Sequence, residues 1–515
     1  MRAVDLDFEQ TTPMQFPYGW HAEGDAATTT ITVKADADAP SGKRILSVAN
    51  TGEEPLALYA PLPNSEDCTN ELRVTANIRS PQNSMAAGLL LEGGAGGPRI
   101  EPPTPASAEW APVAFAIKPS RECFDHPSYF GFLVFGEVEL DAVRIETNDG
   151  RAIAYPSLAP VRKADLEILA DLSTTTALNQ GSASLDAAFS QKLIALGEAS
   201  HGAKSLFSLK FALLKTLAER DLSVFALEAP AAAADIVNEY VTGQIDDRDH
   251  ALRALIYPSW QTEEMAAIVD WLREYNADAQ RPIYFAGFDV QQPQAALQLL
   301  ERNWSDSADI TALKAAMTAG DTAEAISIIA TLEQGDADVK SARYLRLLRK
   351  GLLTDRPDLG GQSRAAYMAS EIEELANDTE GQIIIWGDNT HITKAPGAMG
   401  EALFRSFGNA YVSVGLTFAN GFYSAYGPEN PYLAESAYAG VHEHILLSAG
   451  MDQRFVALAD LPAGHPLLEL RGFRYIGSRP QEFSQFLPHR LQEHFDIIGF
   501  AEFSEATTYL WDNEF

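Results

Sequence analysis

Short runs of β-branched and aromatic residues recur about every 8–15 residues through the first part of the chain, with turn-forming residues between them. This rhythm predicts short antiparallel strands packed as a β-sandwich of the jelly-roll kind. The runs are Ile31–Val33, Arg44–Ala49, Leu56–Tyr59, Leu72–Ile78, Gly88–Leu91, Val113–Ile117, Tyr129–Phe135 and Val138–Ile145. We therefore expect residues 1–155 to form an all-β module.

The pattern changes near residue 163, where apolar runs begin to alternate with long amphipathic helical stretches. Such alternation is typical of an α/β domain with a mostly parallel sheet flanked by helices. The non-periodic stretch Tyr155–Pro160 contains two prolines and is the best linker candidate. We expect a second domain over residues 163–515.

Charge narrows the range of partners. The chain has 38 Lys and Arg against 71 Asp and Glu, a formal net charge of −33. Such a surface repels phosphate backbones and anionic lipid, which argues against a nucleic-acid or membrane-surface role. No apolar run reaches the roughly 20 residues that a membrane-spanning helix needs. We therefore expect no nucleic-acid partner and no membrane span.

The two cysteines, Cys68 and Cys123, both lie in the first quarter of the chain. They form one disulfide if the protein is exported, or stay as two buried thiols if it is not. Residues 1–7 contain no hydrophobic signal segment. The expected location is cytoplasmic by default, and periplasmic or secreted if a signal peptide has been removed.

Ionisable side chains follow four apolar runs that we predict to be parallel strands. The runs and the residues after them are Leu193–Leu196 with Glu198 and His201, Val224–Leu227 with Glu228, Ile283–Phe288 with Asp289, and Ile383–Gly387 with Asp388, Asn389 and His391. The carboxyl ends of parallel strands meet at one edge of a sheet, the usual place of an active-site crevice. Helix caps and turns would explain one or two of these residues, but not two histidines with two glutamates.

The helix predicted over about Ala203–Arg220 carries a lysine in its apolar stripe. The leucines of that stripe are Leu206, Leu209, Leu213, Leu214 and Leu217. A lysine at such a position either extends its ammonium group to the rim or pairs with a carboxylate. We expect Lys210 to pair with Glu198 or Glu228.

Three other motifs resemble functional sites, but their residues do not complete the pattern. Residues 197–205 nearly form a phosphate-binding loop, but Ala203 interrupts the pattern and Glu198 would repel phosphate. Ser200 lacks the G-x-S-x-G context of a hydrolase nucleophile, so we interpret it as a turn hydroxyl. The segment His442–His444 looks like the zinc-protease motif H-E-x-x-H, but its two histidines are only two residues apart and would point to different faces of a helix. We therefore interpret it as a surface segment.

The five strand-end residues with ligand chemistry could also bind a divalent metal, an alternative that the sequence leaves open. They are Glu198, His201, Glu228, Asp289 and His391. We expect no metal and no cofactor.

Several motifs occur in the order found in the erythromycin esterase family, which the chain resembles from about residue 165 onward. They are Gly197–Gly202, Leu227–Ala229, Trp260–Glu263, Trp271–Asn276, Gly287–Asp289, Asp388–His391, Met399–Gly400, Ser413–Gly415 and Gly421–Phe422. The β module lies outside the resemblance and is loosely similar to carbohydrate-binding jelly rolls.

The resemblance implies a hydrolase that opens an ester or macrolide lactone with activated water and no covalent intermediate. It makes His201 the general base, with Glu198 and Glu228 beside it and His391 as the second histidine. Lys210 or His391 would offset charge on the carbonyl oxygen. We assign substrate binding to Asp289, Asp388, Asn389 and Trp260.

Three departures from the family pattern bear on the substrate. The family usually carries arginine where Lys210 stands, histidine where Asp388 stands, and an acidic residue where Ser205 stands. These differences argue against macrolide inactivation and favour another ester, with a glycan-linked one suggested by the β module. The alternatives are a non-catalytic glycan-binding protein with a decayed esterase domain, or a metal-dependent relative.

Overall fold

A computed structural model describes most of the chain. The residues outside the description are 1–3, 12, 15, 18, 26, 63–70, 81–83, 93–98, 101–103, 118–127, 148, 154–157, 176–181, 305–306, 336, 428–429, 481–484 and 512–515. Cys68, Cys123 and the first half of the predicted linker, residues 155–157, therefore lie outside the described residues.

Two antiparallel sheets pack face to face in the first part of the chain. Their strands are β1 (His21–Glu23), β2 (Thr29–Ala35), β3 (Arg44–Asn50), β4 (Leu56–Pro61), β5 (Leu72–Arg79), β6 (Met85–Glu92), β7 (Arg99–Ile100), β8 (Thr104–Pro105), β9 (Ala111–Ile117), β10 (Ser128–Phe135), β11 (Glu137–Thr147) and β12 (Ala152–Ile153). One sheet runs β1-β4-β10-β6-β7, with β8 beside β6, and the other runs β2-β3-β11-β5-β9, with β12 beside β11. The predicted β-sandwich is confirmed.

The sandwich core is aromatic at its centre. Trp20 is buried against Phe130 and Phe132, and its indole N–H donates to the carbonyl of Asp5 at 2.9 Å. Trp20 is thus a core residue of the sandwich. Trp110 is half-buried beneath the guanidinium of Arg79, 4.5 Å from its ring.

The rest of the chain forms the predicted α/β domain. Its strands are β13 (Leu193–Leu196), β14 (Leu222–Pro230), β15 (Tyr284–Asp289), β16 (Gln382–Trp386), β17 (Tyr411–Tyr423), β18 (Tyr432–Leu433), β19 (Arg454–Ala457), β20 (Arg471–Arg474), β21 (Phe486–His489) and β22 (Ile497–Ser504). The main sheet runs β15-β14-β16-β13-β17-β22-β19. Its pairs are parallel except β19 with β22, and β18 adds an antiparallel pair to β17. The predicted mostly parallel sheet is confirmed.

Helices cover both faces of this sheet. They are α1 (Lys163–Leu172), α2 (Ala183–Ala188), α3 (Lys204–Ala218), α4 (Ala231–Val241), α5 (Arg248–Ala254), α6 (Glu263–Asp278), α7 (Gln294–Asn303), α8 (Ala308–Thr318), α9 (Thr322–Glu333), α10 (Val339–Leu353), α11 (Arg364–Asp378), α12 (Asn389–Ile392), α13 (Met399–Phe407), α14 (His442–Ser448) and α15 (Leu491–His494). The leucine stripe of α3 packs on one face, and Met368 and Ile372 of α11 pack on the other. Strands covered on both sides are apolar throughout, which explains the continuous apolar runs. Within the described residues, no helix combines the length and the apolar character needed to cross a bilayer.

The interpretation of His442–His444 as a surface segment is wrong for two of its three residues. His442 and Glu443 are completely buried on α14, which packs between β17 and β20. Glu443 accepts hydrogen bonds from the Thr417 hydroxyl at 2.6 Å and the Arg474 N–H at 2.8 Å. A helix covered on two sides buries residues on both faces, so the i, i+2 spacing did not imply exposure.

The two parts of the chain are in contact. Leu158 and Leu470 pack with the core of the sandwich. The Ala159 N–H donates to Glu469 at 3.2 Å, and Arg471 donates to the Ala159 carbonyl at 2.9 Å. This contact fixes the segment just before α1. The division of the chain into domains over residues 1–155 and 163–515 remains a prediction.

Candidate functional site

The strand order brings the predicted site residues to one edge of the main sheet. Strand β16 lies between β13 and β14, so the loop after β16 lies between the loop that carries Glu198 and the strand end that carries Glu228. A Cβ added at Gly197 would lie 2.0 Å from the Asn389 side chain. Glycine is therefore required where these two loops touch.

The first cluster joins Glu198, His201 and Lys210. His201 Nδ1 lies 2.6 Å from Glu198 Oε1, and the Lys210 ammonium binds Glu198 Oε2. The Trp386 indole N–H also donates to Oε2 at 3.2 Å, while the ammonium lies 3.7 Å from the centre of the Trp386 ring. Glu198 and Lys210 are completely buried, but 12% of the His201 side chain is exposed. Only the imidazole of this cluster therefore reaches the pocket.

Burial and the neighbouring carboxylates shift the pKa values of this cluster in opposite directions. Burial alone would lower the pKa of His201, but the hydrogen bond and charge of Glu198, helped by Glu228 and Asp388, raise it to about 9. Burial lowers the pKa of Lys210 to about 8 despite the same carboxylates. The cluster therefore holds its charges by pairing, because unpaired they would be strongly disfavoured inside the protein.

The second cluster joins Glu228, His391 and Arg364. Glu228 Oε1 lies 3.0 Å from His391 Nε2 and accepts a hydrogen bond from Arg364 Nη2 at 2.9 Å. Glu228 Oε2 accepts the backbone N–H of Asp388 at 2.8 Å. Arg364 also binds both oxygens of Asp289, each at 3.0 Å. One arginine thus connects two strand ends and a histidine.

Electrostatics in the second cluster favour its ionised forms. Burial opposes the charge of Glu228, yet His391, His201 and Arg364 hold its pKa well below the usual range. Burial likewise opposes the charge of His391, and Glu228 raises its pKa above the usual value. Arg364 keeps its charge because Asp289 and Glu228 outweigh its burial and raise its pKa. The cluster therefore presents positive charge that is already balanced by carboxylates.

The four residues assigned to substrate binding occupy different positions. The Trp260 ring lies edge-on to the His201 ring, with centroids 5.1 Å apart, and its N–H donates to the Glu228 carbonyl at 2.7 Å. The Asn389 side chain is engaged by the backbone of Leu416, at 2.9 and 3.1 Å. Asp289 binds Arg364. Asn389 and Asp289 thus have protein partners that a substrate would have to replace.

Asp388 differs from the other carboxylates. Its Oδ1 accepts the N–H of Thr390 at 2.8 Å and caps α12, but its buried Oδ2 has no hydrogen-bond partner among the described residues. Burial raises its pKa although His201 and His391 act in the opposite direction. An unpaired buried carboxylate oxygen is costly, which marks it as a group kept for contact with something in the pocket.

These groups border a pocket of about 350 Å³. Its lining comprises His201, Glu228, Tyr257, Ser259, Trp260, Gln291, Arg364, Asp388, Thr390, His391, Tyr426, Tyr475, Gly477 and Ser478. Lys210 and Glu198 are absent from this lining because they lie behind the imidazole. The structure therefore brings His201, Glu228, His391 and Asp388 to one cavity and supports the first of them from behind.

The competing interpretations can be compared with this geometry. Ser200 is buried and accepts the Gly202 N–H at 3.2 Å, as a turn hydroxyl does. Glu198 and Glu228 each already bind a cationic side chain, which opposes a divalent ion. Across the part of the chain that the structure describes, no group of three or more His, Cys, Asp and Glu side chains is arranged to hold a metal.

Sequence reasoning missed Arg364 and the tyrosines of the pocket. Arg364 is the first residue of α11, after the cap Ser363. A cation in the first helical turn is opposed by the helix dipole, so this position was a usable signal for a carboxylate partner. Tyr257, Tyr426 and Tyr475 lie in loops with no periodic pattern, and nothing local distinguishes them from other loop tyrosines.

Comparison with known proteins identifies the family of the chain. The family model for erythromycin esterase matches residues 217–343 and 309–502. The chain is 25% identical to the erythromycin esterase type II of Escherichia coli over 350 residues, 53% of this chain and 81% of that protein. This agreement confirms the resemblance stated from the motifs.

Two solved structures share the fold. One is a succinoglycan biosynthesis protein, with a TM-score of 0.57, 18% identity, and coverage of 68% of this chain and 100% of that one. The other is a Bacillus cereus protein, with a TM-score of 0.57, 20% identity, and the same coverage. The matched segments of the family model span more than half of the 515 residues, and the chain therefore belongs to the erythromycin esterase family, a family of hydrolases.

Proposed function

We propose that the protein hydrolyses a carboxylic ester or lactone with a water molecule activated by His201, without a metal and without a covalent intermediate. The observation that carries the proposal is the state of that imidazole. Its Nδ1 is held by a buried carboxylate at 2.6 Å, while Nε2 has no partner among the described residues and belongs to a pocket-lining side chain. A ring fixed on one side and available on the other is the arrangement of a general base.

The reaction needs only this chain's groups and water. Nε2 of neutral His201 takes a proton as the water oxygen bonds to the carbonyl carbon and the carbonyl electrons move to oxygen. The tetrahedral intermediate then collapses, the bond to the alcohol oxygen breaks, and the imidazolium returns the proton to that oxygen. Glu198 stabilises the imidazolium between the two steps, as the carboxylate behind a catalytic histidine does.

The second cluster supplies the positive side of the pocket. Arg364 and His391 line the cavity and carry positive charge, which the carboxylates of Glu228 and Asp289 balance. We assign the developing negative charge on the carbonyl oxygen to this side, because preorganised donors there need no rearrangement during the reaction. Lys210 acts as a positioning residue, since it contacts Glu198 and does not border the pocket.

We propose a substrate other than the macrolide erythromycin, which gives the relative from Escherichia coli its name. Where family members usually carry a histidine, this pocket carries Asp388, with its partnerless Oδ2. A carboxyl group there favours a substrate with a hydrogen-bonding group near the ester, and we propose a non-macrolide ester or lactone.

The proposal is tested by measuring the turnover of a panel of esters and lactones by wild type and by His201→Asn. Removal of the base should lower kcat/KM by about 10⁴-fold, at the upper end of the range for lost general-base catalysis. His444→Asn is the matched control, because His444 is a half-buried histidine that does not line the pocket. Circular dichroism should show equal folding of both variants. Equal turnover by wild type and His201→Asn would overturn the assignment.

A further inference from the structure

A second cavity, of about 810 Å³, adjoins the catalytic pocket and is unused by the reaction described above. The two cavities share four wall residues, which are Arg364, Thr390, His391 and Tyr475. A chemical group in the larger cavity would therefore lie beside the side chains that face the ester carbonyl. This volume is within the range of small-molecule sites, about 300–1,000 Å³.

The β-sandwich contributes to the wall of this cavity through Leu62 and Tyr129. Leu62 directly follows β4. Tyr129 lies on β10 and pairs with Pro61, the last residue of β4. Strand β10 alternates, with Phe130 and Phe132 in the sandwich core and Tyr129 on the opposite face. The outer face of one sheet of the sandwich is thus turned toward the catalytic edge of the α/β domain.

Tyr475 links the sandwich to the catalytic pocket, because its side chain borders both cavities. Burial raises its pKa, and the negative charges of Asp388, of Glu23 in the sandwich and of Glu228 act in the same direction. Glu23 is itself bound by the Tyr59 hydroxyl at 2.5 Å, and the Tyr59 and Tyr129 rings lie 5.5 Å apart. The sandwich and the active site therefore meet at one protonated tyrosine.

The remaining wall of the cavity is mostly uncharged. It includes Leu470, Phe473, Leu487, Pro488 and Phe495. Burial lowers the pKa of His489 and His494, so both imidazoles are neutral at pH 7. The charged wall residues Asp355 and Glu493 are exposed, which places them at the opening, and Arg490 is half-buried. Arg474 is buried, and its guanidinium already donates to backbone carbonyls and to Gln485. Such a lining binds apolar groups better than ions or long polar chains.

We propose that this cavity binds an uncharged, largely apolar group of the ester substrate, with Leu62 and Tyr129 of the β-sandwich as part of its wall. The inference rests on the proposed hydrolysis, which supplies the reason for the two cavities to be joined. The family match begins at residue 217, so the sandwich wall is a feature of this chain that the family match does not cover. The sandwich would thus select the substrate at the active site itself.

Two variants test the cavity, each with a matched control. Ala395→Phe places a ring in the cavity from a half-buried position, and Ala410→Phe makes the same change at a half-buried alanine at the opposite end of the sheet. Tyr129→Ala removes the sandwich wall, and Phe135→Ala removes a ring from the same face of β10 outside the cavity. Thermal unfolding checks that each pair remains folded to the same degree.

The measurements separate binding from chemistry. Calorimetric titration with N-octylacetamide, which ester hydrolysis cannot consume, measures the cavity alone. We expect its Kd to rise at least tenfold in Ala395→Phe and Tyr129→Ala and less than twofold in the controls. Turnover of 4-nitrophenyl octanoate and octyl acetate should show at least tenfold higher KM in the same two variants, while 4-nitrophenyl acetate changes less than twofold.

Each outcome decides one of the two proposals. Absence of N-octylacetamide binding by wild type, or equal Kd values in all variants, overturns the cavity proposal even if the esters are hydrolysed. Binding that weakens only in the two cavity variants supports the cavity, and a simultaneous lack of turnover of any ester would count against the proposed hydrolysis alone. Loss of binding in a variant and its control together indicates unfolding of the sandwich face and overturns the specific role of Tyr129.

Discussion

The active-site edge contains two carboxylate–imidazole pairs that look alike and differ in surroundings. In one, Glu198 holds His201 from behind and is itself held by Lys210, with both charged partners completely buried. In the other, Glu228 holds His391 at 3.0 Å beside Arg364, and all three border the pocket. The first pair offers the pocket one ring nitrogen, and the second offers it an arginine and an imidazole.

This difference suggests a division of labour. A histidine with only carboxylate contact gains basicity and can accept a proton. Arg364 lowers the pKa of His391 while Glu228 raises it, so that ring lies between opposing charges. We infer that the first pair moves the proton and the second pair stabilises negative charge.

The largest effect is expected from Glu198→Gln. The amide cannot stabilise the imidazolium and no longer fixes the ring tautomer, so kcat should fall by about 10⁴-fold, the size seen when the carboxylate behind a catalytic histidine is neutralised. Steady-state kinetics on the best ester found by screening measures it. Glu371→Gln, at a buried glutamate of α11 that binds Lys350 of α10, is the control for loss of a buried ion pair. A kcat within tenfold of wild type would end the distinction between the two pairs.

Arg364→Gln should have the next largest effect. Loss of a preorganised donor at the developing oxyanion costs about 10²–10³-fold in kcat. Arg364→Lys should recover only part of this, because a lysine cannot span Glu228 and Asp289 as the planar guanidinium does. Arg343→Gln, at an arginine that binds Asp235 away from the pocket, is the control. If KM rises while kcat stays unchanged, Arg364 binds substrate without stabilising the transition state.

The pH dependence of kcat/KM should follow His201. A base with a pKa of about 9 is unprotonated in only about 1% of molecules at pH 7, so kcat/KM should rise about tenfold per pH unit and level off near pH 9. Lys210→Met removes the cation that competes for Glu198 and should move the plateau to higher pH. A profile that levels off near pH 6.5 in both proteins would contradict the role of Glu198.

Stability should change in the opposite direction over the same pH range. The folded pKa of His201 lies above its usual value of 6.5, so the pairing with Glu198 stabilises the fold fully below pH 6.5. That stabilisation is lost as the pH rises through about 9. Thermal unfolding of wild type against His201→Asn at pH 6 and pH 9 should show the wild-type advantage shrinking at the higher pH.

Parallel-sheet geometry explains what could be predicted from the sequence. The runs before Glu198, Glu228, Asp289 and Asp388 are apolar because helices cover both faces, and parallel strands bring their ends together without any knowledge of contacts. Arg364 could not be found in this way, because it reaches Glu228 from a helix start 136 residues further along the chain. The wall formed by Tyr129 depends on how the two parts of the chain pack together, which no periodic pattern records.

The smallest expected effect concerns the stability cost of Asp388. Its folded pKa is raised, so the carboxylate is less favourable in the folded chain than in the unfolded one. The cost grows as the pH rises through the unfolded pKa and is complete above the folded pKa. Asp388→Asn keeps a capping oxygen for Thr390 and removes the charge, so it should stabilise the fold by about 1 kcal/mol at pH 8, with a gain that shrinks toward pH 4.

The matched control is Asp338→Asn, at the cap of α10. That carboxylate is exposed and accepts hydrogen bonds from the N–H and hydroxyl of Ser341, which lower its pKa. Its ionised form stabilises the fold above the unfolded pKa, so the asparagine variant should lose stability at pH 8 and not at low pH. Stability changes of opposite sign at pH 8 for the two aspartate caps would show that Asp388 is kept at a cost to the fold, as a group that serves the pocket would be. Equal signs would make it an ordinary cap.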